Sequence, residues 1–374
     1  MSLAPGGTIG FLGGGQLGRM AAMAARSMGY DVQVLDPDPA CPARAVATRT
    51  ITARFDDAAA AAELASACGV VTLEIEQVAV ASLEAAAAHA PVRPGARAIH
   101  VIQDRARQKV WLRDAGFPVG PFRVAATEAE LRDAVAALGP CVAKTTTGGY
   151  DGRGQARLAG PGDAADAWRA LTGQRAVVEQ WLPVGRELSA LVARRPGGES
   201  ALFPLALNHH DAGVLTWSMT PAPVDEGLAA RARELAGRIA EALDVVGLLA
   251  VELFVLDDGT LLVNELAPRP HNTFHATERA CETSQFEQLV RAVCDLPLGS
   301  TALVRPGAII NLLGDLWPGG RSPDFARALE LPGVRLHLYG KAAARPGRKM
   351  GHLSALDETA DGARARVQEA YRRL

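Results

Sequence analysis

The apolar residues fall into short runs separated by glycine-, proline- and charge-rich turns, and the runs alternate between strand and helix periodicity. Residues 8–12 are a strand-like run that stops at Gly13-Gly14-Gly15, and a helical pattern follows over 16–28. A second strand, 31–35, ends at Asp36. Strand, glycine turn, helix and strand make a βαβ unit, which predicts a parallel sheet with right-handed crossovers. Residues 58–67 read as a helix, 70–75 as a buried strand, and 104–114 as a helix ended by Gly116 and Pro118.

Beyond Pro121 the texture changes. A short strand, 142–144, runs into a polar glycine-rich loop, 145–154, and strands follow at 176–181 and 187–194. An amphipathic helix over 227–243 precedes strands 247–256 and 260–265, which flank the turn Asp257-Asp258-Gly259. A helix over 284–294 closes this region, and a small α/β segment ends in a helix over 361–373.

Several places in this pattern can carry chemistry. Gly13-x-Gly15-x-x-Gly18 follows a strand and opens a helix, with Asp36 ending the next strand. Such a turn offers backbone N–H groups to the phosphates of NAD or FAD, or of another ligand, or serves the fold alone. Glu252 and Glu265 lie in apolar strands that a hairpin would set side by side. Two carboxylates in such runs call for a cation, and magnesium takes one or two carboxylates plus phosphate oxygens, with Asn264 as a neutral ligand. Lys144 ends a strand before the glycine-rich loop, which suits nucleotide phosphates, or the loop is a surface hairpin. Residues 178–182 offer a strand edge for adenine, and Glu187 a carboxylate for ribose hydroxyls. Arg269, His271 and Asn272 follow Glu265 closely and can hold a small oxyanion. Lys341 and the segment 345–352 place cations among glycine and proline, as a phosphate clamp or a basic surface turn.

Composition narrows the class. The 374 residues suggest two or three domains, and 48% hydrophobic with 21% charged residues describes a folded chain. The formal charge of −2, from 39 basic and 41 acidic residues, disfavours general nucleic-acid binding. The longest apolar stretch, 245–256, is too short to span a membrane and carries Glu252. No basic n-region precedes the first apolar run, and the five cysteines include no CxxC pair, so a cytoplasmic location is expected. Among the 39 basic residues only Lys109, Lys144, Lys341 and Lys349 are lysine. A lysine kept against that bias points to a need for a compact ammonium on a flexible stem.

Taken together, these elements resemble the ATP-grasp superfamily and, within it, the N5-carboxyaminoimidazole ribonucleotide synthetase family. The resemblance rests on Gly14-Gly15-Gln16-Leu17-Gly18-Arg19-Met20, Lys144-Thr145 with Gly149-Tyr150-Asp151-Gly152-Arg153-Gly154-Gln155, and Asn264-Glu265-Leu266-Ala267-Pro268-Arg269-Pro270-His271-Asn272. Thr283-Ser284-Gln285-Phe286-Glu287 and Lys341 with Arg345-Pro346-Gly347-Arg348-Lys349-Met350-Gly351-His352 complete it, in the family's order and over essentially the whole chain. One departure is Thr146, where the family often places an arginine after the Lys-Thr pair, which weakens the case for a second cation in the lid.

The resemblance implies an α/β architecture: a Rossmann-like pre-ATP-grasp domain over 1–103, an ATP-grasp domain over 104–300 with a mobile lid at about 125–195, and a small C-terminal α/β region over 301–374. ATP would be contacted by Arg105, Lys144, Gly149, Tyr150, Asp151, Gly152, Arg153, Gly154, Gln155, Glu179, Gln180, Trp181, Leu182, Glu187, His210, Asn264 and Glu265. Glu252 and Glu265 would hold Mg2+ or Mn2+, and Arg269, His271 and Asn272 bicarbonate and the phosphoryl intermediate. Tyr150, Asp151, Arg153, Lys341 and Arg348 would bind 5-aminoimidazole ribonucleotide, with Gln16, Leu17 and Glu76 contributing, and Asp151 would orient or deprotonate its amine. The implied reaction is ATP-dependent carboxylation of that ribonucleotide by bicarbonate, in a homodimer without nucleic-acid or membrane partners. Three rivals remain at this stage: a formate-using glycinamide ribonucleotide transformylase of the same superfamily, a Rossmann oxidoreductase, and a non-catalytic nucleotide-binding regulator.

Overall fold

A computed structural model describes residues 2–149, 154–211 and 213–374. The N-terminal unit contains Thr8–Leu12 (β1), Gln16–Ser27 (α1), Asp31–Asp36 (β2), Arg49–Thr52 (β3), Ala58–Ser66 (α2) and Val70–Leu73 (β4). Its strands pair in parallel in the order β3-β2-β1-β4, as the βαβ pattern requires. Val80–Ala87 (α3) and Ala96–Ile102 (α4) follow.

Arg105–Asp114 (α5), capped by Asp104, whose carboxylate accepts from the Arg107 N–H, leads into a second unit. Phe122–Ala125 (β5), Glu128–Leu138 (α6), Cys141–Thr145 (β6), Gln155–Leu158 (β7), Ala164–Ala170 (α7) and Ala176–Gln180 (β8) form it. Its antiparallel sheet runs β5-β8-β6-β7, and its apolar cluster, including Leu131, Val135, Leu158 and Val178, draws on residues 125–178 alone. A unit with its own core can move as a body, which suits a lid.

The largest sheet contains Val184–Arg194 (β9), Ser200–Leu202 (β10), Ala206–Asp211 (β11) and Val214–Thr220 (β12). After Glu226–Ala242 (α8) come Gly247–Leu256 (β13), Leu261–Ala267 (β14), Thr277–Ala280 (α9) and Gln285–Val293 (α10). Gly307–Leu313 (β15), Phe325–Leu329 (α11), Arg335–Leu338 (β16), Lys349–Leu356 (β17) and Ala360–Arg372 (α12) finish the chain. Strand order is β14-β13-β9-β11-β12-β15-β17-β16, with β10 on β9.

Val184–Arg194 (β9), which falls inside the segment expected as a lid, pairs with β13 and so belongs to the main sheet. In the C-terminal region β15 pairs with β12 and prolongs that sheet.

Alternation along β9 and β13 decides where the site lies. Leu188, Ala190, Val192, Leu249, Val251 and Leu253 pack with Leu228, Ala232, Leu235 and Ile239 of α8. Leu191, Ala193, Leu248 and Ala250 face the other way, into a core shared with Phe286 and Leu289 of α10 and Leu17 and Ala21 of α1. Glu187, Ser189 and Glu252 share the parity of that second set, so the polar end of this face opens beside the N-terminal unit.

Candidate active site

Strands β13 and β14 set Glu252 directly opposite Glu265, and the register shifts immediately afterwards, pairing Leu253 with Val263. This bulge leaves Asn264 as the extra residue and turns its side chain to the same face, where Nδ2–H donates to Glu252 Oε2 at 3.3 Å. Burial would raise the Glu252 carboxyl, but His271, with Nε2 3.3 Å from Oε1, together with His210 and Lys144, holds it down at about 2. Burial and the neighbouring Glu252 charge raise Glu265, against Arg105 at 3.9 Å. Glu265 keeps 46% of its side-chain surface open, so the walls of the cleft rather than close contact supply this effect. A pair in which one carboxylate opposes ionisation of the other is relieved by a dication, and the hard oxygens of Glu252, Glu265 and Asn264 suit Mg2+ or Mn2+.

Across the cleft, β6 and β8 of the lid bring Lys144 and Glu179 together, with Nζ 2.6 Å from Oε2. Lys109, on α5, reaches the other oxygen at 2.6 Å and donates to the Val263 carbonyl at 3.4 Å. Two of the four lysines therefore share one carboxylate that is only 13% exposed. Burial would raise Glu179, but Lys144 and then Lys109 hold it at about 2. Lys109 has no place in the ATP set read from the sequence, although lysine scarcity marks its position. Arg105 donates to the carbonyls of Thr145 at 3.1 Å and Gly149 at 2.6 Å, tying down the start of the glycine-rich loop. Gly154 accepts from the Thr145 N–H at 2.8 Å, and Gln155 pairs with Lys144 in register. Tyr150, Asp151, Gly152 and Arg153 lie outside the described residues.

At the end of β8, the N–H groups of Gln180 and Trp181 already donate to Pro121 at 3.0 Å and Pro140 at 2.8 Å. Those two amides are thus not the free edge that adenine would pair with, and the Leu182 carbonyl accepts from Val184. Trp181 is half-exposed, with the Arg157 guanidinium 4.5 Å above its ring. Glu187 and His210 meet across β9 and β11, with Nδ1 2.6 Å from Oε2. Burial would lower His210, but hydrogen bonding and charge from Glu187 raise it.

The oxyanion loop is braced from both sides. Arg269 Nε lies 2.7 Å from Glu76 Oε1, which brings the N-terminal unit into the site. Gln285 accepts from the His271 N–H at 2.8 Å and donates back to the His271 carbonyl at 2.9 Å. Fully buried Gln285 thus explains the Thr-Ser-Gln motif, a positioning role that the sequence reading did not assign. Thr273 Oγ1 meets His271 Nδ1 at 2.8 Å, and His275 Nε2 lies 3.2 Å from Asn272 Oδ1.

The glycine turn behaves differently from a dinucleotide site. Gly14 N–H donates to Asp36 Oδ2 at 2.7 Å, and the Gly15 and Gly18 N–H groups donate to the two oxygens of Glu74 at 2.7 and 2.9 Å. A Cβ on Gly13, which sits at φ +101°, would lie 2.7 Å from Glu74 Cγ. The place of a phosphate is filled by the protein's own carboxylate, so the turn fixes Gln16 and Leu17 at the start of α1. Leu17 is buried and Gln16 only partly. Lys341 Nζ lies 5.7 Å from the Tyr339 ring, and Arg348 donates to the Ala343 carbonyl at 2.9 Å. Their loop packs hard on Gly314, where a Cβ would come within 2.1 Å of the Arg345 carbonyl oxygen. Lys341 and Arg348 make no direct contact with the carboxylate pair among the described interactions; the chain of contacts runs through Tyr339, His352 and His275 to Asn272.

A lid sheet carrying the lysine, set over a second sheet that carries paired carboxylates, defines an ATP-grasp enzyme. Residues 110–286 match the ATP-grasp domain, 7–103 the ribonucleotide synthetase preATP-grasp domain, and 307–366 the phosphoribosylaminoimidazole carboxylase C-terminal domain. The chain belongs to the N5-carboxyaminoimidazole ribonucleotide synthase family. It is 42% identical to the Bacillus subtilis synthase over 359 residues, covering 96% of this chain and 93% of that one. It is 44% identical to the Brucella melitensis synthase over 361 residues, covering 95% and 98%. The Aspergillus clavatus synthase, solved with ADP and 5-aminoimidazole ribonucleotide, superposes with a TM-score of 0.89 at 33% identity over 98% of each chain.

Proposed function

We infer that the chain carries out the ATP-dependent carboxylation of 5-aminoimidazole ribonucleotide to N5-carboxyaminoimidazole ribonucleotide, an ATP-grasp ligase step of purine biosynthesis. The observation that carries this reading is near full-length similarity to such synthases, joined to one cleft that holds Glu252, Glu265, Lys144 and the Arg269–Asn272 loop. The filled glycine turn argues against the oxidoreductase rival.

In this reading bicarbonate is the carbon source. A bicarbonate oxygen attacks the γ-phosphorus, the bond to the β-phosphate oxygen breaks, and ADP and carboxyphosphate form. Lys144, released in part from Glu179, offsets phosphate charge, and Arg105 holds the loop that covers it. A dication held by Glu252 and Glu265, with Asn264, supplies charge neutralisation at the phosphate oxygens when bound. Arg269, His271 and Asn272 hold the oxyanion in line. Lys341 and Arg348 hold the ribonucleotide phosphate, with Gln16, Leu17 and Glu76 alongside. The exocyclic amine then attacks the carboxyl carbon of carboxyphosphate, or of CO2 released from it in the closed site; phosphate leaves, and Asp151 orients the amine or takes its proton. Lid closure excludes water that would otherwise hydrolyse carboxyphosphate. A homodimer acting in the cytoplasm completes the reading; among the described residues no helix is long and apolar enough to cross a membrane.

The test is ADP release with ATP, Mg2+ and bicarbonate, with and without 5-aminoimidazole ribonucleotide. Strong stimulation by that ribonucleotide is expected. Turnover only with glycinamide ribonucleotide and formate would move the assignment to the transformylase.

A further inference from the structure

Three histidines outside the phosphoryl-transfer set form a parallel series behind the oxyanion loop. The rings of His275 and His352 are 4.6 Å apart and 6° from parallel, and those of His352 and His337 are 5.3 Å apart at 9°. Phe286 stacks on His275 at 5.8 Å, and the Tyr339 hydroxyl lies 3.0 Å from His352 Nδ1. Glu278, His337 and His352 bring donor atoms within 4.8 Å of one another, but stacked rings direct their in-plane lone pairs along parallel planes rather than to one ion.

His275 is the member that touches the site. It is buried, its Nε2 faces Asn272 Oδ1 at 3.2 Å, and its Nδ1 is buried with no hydrogen-bond partner. Burial, then the charges of its neighbours, pushes its basicity well down, so the ring is neutral and carries one N–H. Placed on Nδ1, that N–H would be a buried donor with no acceptor, the costlier of the two arrangements. Placed on Nε2 it meets the Asn272 oxygen, and the bare Nδ1 lone pair is the smaller loss. The tautomer follows, and with it the amide: Asn272 Oδ1 accepts from His275, so its NH2 group is turned away from that ring.

We propose that His275 is a positioning residue for carboxyl and phosphoryl transfer. It orients Asn272 as a donor toward the oxyanion and is itself held flat by His352 from the segment that carries Arg348. The proposal rests on the carboxylation reading above, and it extends the site from the loop to the C-terminal strands.

The test uses the full chain with H275L, H275Q, H275N, N272A and N272A/H275L, measuring ADP and carboxylated ribonucleotide together. The glutamine amide reaches the place of Nε2, whereas that of asparagine reaches only the place of Nδ1. H275L is expected to lower kcat about tenfold, with the KM for ATP and for the ribonucleotide within about twofold, and to release more ADP per product. H275Q should restore most of kcat and H275N should not. In the N272A background H275L should add nothing, since its effect acts through that amide. Equal activity of H275Q and H275N, a kcat of H275L within twofold of the parent, or a fully additive double variant would each overturn the proposal. A parent enzyme that makes no carboxylated product would instead overturn the functional reading.

Discussion

Replacing Glu179 with glutamine leaves Lys109 and Lys144 facing a neutral amide, with Lys109 only 7% exposed and Glu179 itself 13%. The carboxyl falls from 4.5 to about 2 in the folded chain. At about 1.36 kcal/mol per pH unit, that fall is worth about 3 kcal/mol. The figure agrees with the roughly 3–5 kcal/mol lost when one partner of a buried ion pair is removed. E179Q is therefore expected to lose about 3 kcal/mol of unfolding free energy at pH 7, read by urea titration. E179Q/K109M should recover part of it, because one of the two stranded cations is gone. The folded value is depressed, so the stabilisation is complete above the unfolded value near 4.5 and is lost as pH falls through about 2. The gap between parent and E179Q should already narrow by about 1 kcal/mol at pH 3.5. A loss below about 1 kcal/mol at pH 7, or a gap that ignores pH, would refute the view that this carboxylate binds two lysines into one buried unit.

E252Q should weaken Mn2+ binding in the presence of ADP at least about tenfold, followed by electron paramagnetic resonance, because half of the carboxylate pair is lost; unchanged binding would remove Glu252 from the metal set. Burial, with His337 beside it, pushes His352 down to about 3, so its neutral form is favoured in the fold. Stability from that group is full above pH 6.5 and falls as pH drops toward 3, by about 1 kcal/mol at pH 5.5. H352L should lack that part of the acid slope in urea titrations, with His275, His337 and Tyr339 still packed around the position. D151N should lower carboxylation sharply, read as carboxylated ribonucleotide formed per ADP; normal turnover would exclude Asp151 from proton transfer.

The architecture was legible where periodicity and turn chemistry agreed. The βαβ opening and the Asp257-Asp258-Gly259 hairpin appear as expected, with β1 at Thr8–Leu12 and β13 at Gly247–Leu256. Which sheet β9 joins was not legible from its residues, because only its pairing with β13 assigns it to the main sheet. The bulge that turns Asn264 toward Glu252 breaks strict alternation, so no two-residue period could reveal it. Lys109 comes from a helix 35 positions before Lys144, and Gln285 acts 14 positions after His271, partnerships that only the tertiary fold creates. The glycine turn misleads for a physical reason: N–H groups that would suit a phosphate suit the Glu74 carboxylate equally well.

The central claim is that ATP activates bicarbonate by phosphorylating it. The most direct measurement supplies 18O-labelled bicarbonate with ATP, Mg2+ and 5-aminoimidazole ribonucleotide, and reads the released phosphate by mass spectrometry. The account predicts one labelled oxygen per phosphate, with one ADP formed per carboxylated ribonucleotide. Unlabelled phosphate beside normal product formation would contradict it.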